Sequence, residues 1–94
     1  MIRHTVCFKL KKGESAEKAA EILRSMEGKI PEIKDIFVGV DFLKSARSYD
    51  VILQVTVEDE DALNRYQNDA YHCSVVKEYM HKVRENSVAI DCYI

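Results

Sequence analysis

The chain has no apolar run approaching the ~18 residues a membrane helix needs, so no segment is expected to cross a bilayer. It has no glycine-rich phosphate-binding motif and no GxSxG, which argues against nucleotide binding and serine-hydrolase chemistry. It has no surplus of positive charge. With a net charge of -2, no overall field favours nucleic acid or an anionic membrane. It has few cysteines: Cys7, Cys73 and Cys92 are odd in number and show no CxxC spacing, as expected of reduced thiols in a cytoplasmic protein. No HxxxH or HxH spacing occurs, so neither a metal site nor another cofactor is expected. No leader-like stretch precedes the first strand pattern. No repeat, low-complexity tract or linker divides the 94 residues, which read as one domain over residues 1–94.

What is present is periodicity. Between Arg3 and Lys11, His4, Val6, Phe8 and Leu10 alternate with Thr5, Cys7 and Lys9, a strand pattern. Ser15 is a suitable N-cap for a helix whose stripe is Ala16, Ala19, Ala20, Leu23 and Met26, with Gly28 as its stop. Ile33 to Phe42 is rich in β-branched and aromatic residues and reads as a second strand. Gly39 inside it implies a bulge or a close backbone approach. Asp50 to Val57 alternates again, and the short polar connection before it favours an antiparallel return. Glu58-Asp59-Glu60-Asp61 places acids at the positive end of a second helix. Asn68-Asp69 reads as a break and a new N-cap. The stripe His72, Val75, Val76, Tyr79, Met80 and Val83 follows, with Asn86 as its end. Val88, Ile90 and Cys92 alternate as a last strand.

The order β-α-β-β-α-β is a ferredoxin-like α+β plan: a four-stranded antiparallel sheet with helices on one face. Two helices leave the other face bare. A second copy laying its sheet on that face would bury it, so a homodimer through the open sheet face, a dimeric α/β barrel, is expected.

The residues able to carry chemistry are Tyr66, His72 and His4. On an unbroken helix at ~100° per residue, Tyr66 and His72 point about 120° apart. They meet only if Asn68-Asp69 breaks the helix. His72 falls in the first turn of the new segment, where the positive helix end keeps imidazole neutral. Neutral imidazole accepts protons. His4 shares a strand face with Val6 and Phe8, and that face is expected to be the barrel interior and to line a cavity. A structural role, in which each histidine simply packs or bonds a backbone carbonyl, stands beside this one.

These residues together resemble the stress-responsive α/β-barrel (Dabb) domain family. The resemblance spans nearly the whole chain. It rests on His4 followed by Val6 and Phe8, on Val38-Gly39-Val40-Asp41, on Tyr66 with His72 six residues later, and on Asp91. Ala70 stands where the family usually has proline, and Asp41 where asparagine is common. The resemblance implies a ferredoxin-like dimeric barrel. By likeness to the family's polyketide cyclases, it implies His72 as base and Tyr66 as the hydrogen-bond donor that orients a small apolar or phenolic substrate. His4, Val6 and Phe8 would contact that substrate. The competing expectations are a non-catalytic stress-protective or scaffold protein, and a monooxygenase or haem-degrading enzyme of the same fold. The absence of tryptophan weighs against haem-degrading relatives.

Overall fold

The alternating segments pair as one antiparallel sheet. A computed structural model describes all 94 residues, Met1 to Ile94. The strands are β1 (Ile2–Leu10), β2 (Asp35–Val40), β3 (Val51–Val57) and β4 (Arg84–Tyr93), in the order β2-β3-β1-β4. The helices are α1 (Ala16–Arg24), α2 (Glu60–Gln67) and α3 (Glu78–Val83). A π-helical turn over His72–Lys77 leads directly into α3. The fold is the expected ferredoxin-like βαββαβ, with its second helix in pieces. No helix is long and apolar enough to cross a membrane.

Side-chain oxygens set the helix starts. Ser15 Oγ accepts the Lys18 N–H at 3.1 Å, and Asp59 Oδ1 accepts the Ala62 N–H at 2.8 Å. Each satisfies one of the donors that a helix N-terminus leaves unpaired. α1 ends at Arg24, before the expected stop. Gly28, at φ +79°, sits in the following turn, which still buries Met26 and Ile30.

β1 alternates faces as expected. Ile2, His4, Phe8 and Leu10 are buried under the helices, and Val6 is half-buried among them. In register, His4 lies between Val55 and Asp91, and Val6 between Leu53 and Ala89. The helix-covered face therefore holds the main core, with Val51, Leu53, Val55 and Val57 opposite Ala19, Ala20 and Leu23 of α1. The expectation that the His4 face is the barrel interior is corrected: it is the helix-covered face. The bare face carries Thr5, Cys7, Phe37, Ile52, Val88 and Ile90.

Three further expectations change. β2 is shorter than Ile33–Phe42, because Ile33 closes a turn on Ile30 and Phe42 is in the loop, 90% exposed. The last helix stops at Val83 rather than Asn86, since Arg84 is already extended. Gly39 marks no bulge, and no backbone crowds it. A Cβ there would meet the Phe37 ring and Ile52 Cγ2, both at 3.2 Å, so glycine leaves room for the Phe37 ring to lie across the strand. The register shift in the sheet lies instead at Lys9/Leu10, on β1 against β4.

Candidate functional site

The helix break after α2 brings the candidate rings together. Asn68 ends α2, and Asp69 Oδ1 accepts the N–H groups of Tyr71 (2.8 Å) and His72 (3.2 Å). This capping does the work that a proline at Ala70 does by fixing φ. The chain thus turns sharply enough for Tyr66 and His72 to stack, with ring centroids 4.5 Å apart and planes at 27°. His4 meets the Tyr66 ring edge-on, at 5.7 Å. All three rings are on buried residues.

Each ring has a different polar state. His4 Nδ1 is hydrogen-bonded to Asp91 Oδ1 on the neighbouring strand. A carboxylate only accepts, so Nδ1 carries the proton, and Nε2 of a neutral His4 is left as an acceptor. Tyr66 Oη donates to Met26 Sδ at 3.7 Å, a weak acceptor. Burial, with a smaller contribution from Asp91, raises the Tyr66 hydroxyl well above the usual phenol range. His72 Nδ1 is buried with no hydrogen-bond partner. Burial first, then the charges of Lys77 and His4, push its pKa down to about 4, against an opposing pull from Asp69. Removal from water, rather than the helix end, is thus the leading cause that favours the neutral imidazole.

A cavity of about 180 Å³ opens beside these rings. His4, Val6, Phe8 and His72 all line it, together with Leu23, Leu53, Val76 and Met80. Tyr66 does not line it, and its hydroxyl is bonded to Met26, which does not line it either. The cavity also reaches Gln67, Lys77, His81 and Arg84, which sequence reasoning did not single out. Lys77 follows His72 by five residues, which on an α-helix sets it roughly 140° away. The π-helical turn, with i→i+5 hydrogen bonds, is wound more loosely and narrows that separation. No spacing rule read from the sequence signals that turn. His81 is exposed, as its setting between Met80 and Lys82 implies, yet its ring borders the cavity.

A family model, the stress responsive A/B barrel domain (Dabb), matches residues 2–94. The chain belongs to this family. No curated protein matches it in sequence. Among solved structures, a dimeric ferredoxin-like protein of unknown function from Thermobifida fusca is 23% identical, with a TM-score of 0.86 over 99% of this chain and 90% of that one. An Arabidopsis thaliana protein is 20% identical, with a TM-score of 0.83 over 100% and 95%. The hydroxynitrile lyase of Passiflora edulis is 17% identical, with a TM-score of 0.83 over 99% and 92%. At these identities the likeness shows the Dabb fold and carries no activity across.

Proposed function

We propose that this Dabb protein is a homodimer whose two helix-covered cavities each bind a small apolar molecule, with His72 as a general base. The carrying observation is an uncharged, buried imidazole with an unpaired Nδ1, on a residue that lines an apolar cavity. A buried polar atom without a partner is costly unless a ligand or a reaction uses it. His72 takes a proton from carbon next to a carbonyl, or from a hydroxyl. Its basicity rises as negative charge develops beside it in the transition state. Val6, Phe8 and His4 contact the body of the ligand. Tyr66 acts as a positioning residue: its ring holds the plane of His72. The Passiflora edulis lyase is an example of an enzyme on this fold, and proton transfer at a small carbonyl compound is chemistry within reach of the same frame.

The test is deuterium exchange of the acidic C–H of a small β-diketone in D₂O, followed by NMR. The protein is expected to accelerate exchange above buffer, His72→Asn to abolish the acceleration, and Tyr66→Phe to keep it. Exchange at the buffer rate, or unchanged in His72→Asn, removes the base from the proposal.

The homodimer rests on the bare sheet face. Phe37, Val88 and Ile90 are 55%, 51% and 70% exposed there, and β4 is uncovered on both faces. Such a patch favours burial against a partner. The Thermobifida fusca relative is dimeric. Light scattering is expected to give about twice the 10.8 kDa of one chain, and Ile90→Lys to halve it, since an unpaired charge is costly inside an apolar interface. A wild-type mass of 10.8 kDa at micromolar concentration contradicts the dimer.

A further inference from the structure

Burial sorts the cavity lining into a floor and a rim. The floor is apolar apart from its two histidines: Phe8, Leu23, Leu53, Val76 and Met80 surround His4 and His72. The rim carries two cations, the half-buried Lys77 and Arg84. No carboxylate lines the cavity at all. Asp69 is engaged with backbone N–H groups and Asp91 with His4. Neither rim cation is in an ion pair with an acid. Arg84 reaches only Ser87 Oγ, at 3.5 Å, and Lys77 Nζ donates to the Gln67 carbonyl at 3.1 Å. An ammonium has three donors, so Lys77 keeps two for a ligand.

An apolar floor beneath cations that lack acid partners is complementary to an amphipathic anion. Size narrows the class. A dry cavity of about 150 Å³ accommodates one benzene ring, and this one is about 180 Å³. We infer that the cavity selects a small carboxylate with a single-ring body, its carboxylate held at the rim by Lys77 and Arg84 and its ring on the apolar floor beside His72. Lys77 closes the π-helical turn that His72 opens, and both line the cavity, so one segment supplies both the cation that holds the head group and the imidazole that meets the body. This inference rests on the proposal that the cavity is the ligand site, and names the class of ligand it takes.

Benzoate and its uncharged isostere benzamide separate the two ideas. Each is titrated into ¹⁵N-labelled protein and followed by NMR shifts of Val76, Lys77 and Arg84. Benzoate is expected to bind about tenfold more tightly than benzamide, because charge-assisted hydrogen bonds replace neutral ones. Lys77→Met, which keeps the apolar stem, is expected to weaken benzoate about tenfold and leave benzamide unchanged, and Arg84→Met to act in the same direction. Equal affinity for the two probes, or equal loss in Lys77→Met, overturns the carboxylate assignment and leaves the apolar cavity standing as a ligand site. Binding of neither probe, or shifts confined to residues away from the cavity, overturns it as well, and the diketone exchange then reports separately on whether the cavity admits any ligand.

Discussion

Tyr66→Ala is expected to lower the unfolding free energy by about 3–5 kcal/mol, while Tyr66→Phe changes it by less than about 1 kcal/mol. The difference follows from what each substitution removes. Tyr66 is fully buried, and its ring packs against both His4 and His72. Alanine deletes the ring, leaves a void at the centre of the stack, and frees the imidazole whose plane the ring fixes. Phenylalanine deletes only a hydroxyl bonded to a thioether sulfur, the weakest acceptor in the protein's repertoire. Against a total stability of about 5–15 kcal/mol for a domain, the alanine variant sits close to unfolding. Urea denaturation of both variants at pH 7.5 measures this. A Tyr66→Phe loss as large as that of Tyr66→Ala would mean that the hydroxyl, rather than the ring, is the essential part.

Where the protein is half-buried on a regular element, its sequence was readable. β1 and β3 alternate cleanly because one face packs under helices and the other does not, and a period of two records that asymmetry. Ser15 was recognisable as a cap, and the acidic run at positions 58–61 as a helix start, because their chemistry is local. β4 was harder. Its first residues, half-buried Arg84 and exposed Glu85 and Asn86, are all polar, so they show no hydrophobic alternation and resemble the end of a helix. Phe42 misled in the other direction, an aromatic residue that is almost wholly exposed in a loop.

The site was legible to the extent that a local signal produced it. Asn68-Asp69 announced the break that lets Tyr66 and His72 meet, and Asp69 caps the new segment even with alanine at position 70. The direction of the Tyr66 hydroxyl was not legible, because it depends on Met26, forty residues away in the chain. Nor was the cationic rim. Lys77 reads as a solvated helix residue until the backbone slips from i→i+4 to i→i+5 bonding. The face of the sheet that bears the cavity was likewise set by packing between elements. Alternation says that His4, Val6 and Phe8 share a face. It does not say which face the helices cover.

The second large effect is in acid. An unfolded imidazole takes up its proton below about pH 6.5, whereas His72 in the folded protein stays neutral until about pH 4. Within that window the unfolded state binds the extra proton, so stability falls as pH falls. The contribution is complete above pH 6.5 and lost by about pH 4. The slope is about 1.4 kcal/mol per pH unit, which amounts to roughly 2 kcal/mol between pH 6.5 and 5 and roughly 3 kcal/mol over the whole window. His72→Gln removes the titrating group and is expected to flatten the dependence between pH 6.5 and 5 by that amount. Carboxylates, which titrate in both proteins, cancel in the comparison. Urea midpoints of the two proteins at half-unit intervals measure it, and the His72 ring proton shift should have its midpoint near 4. Parallel curves would mean that His72 protonates in place near its ordinary value. Proton exchange on the diketone carries the same signature, since a base that stays neutral down to pH 5 gives a rate that is flat from pH 8 to 5 and falls only as the folded protein takes up its proton.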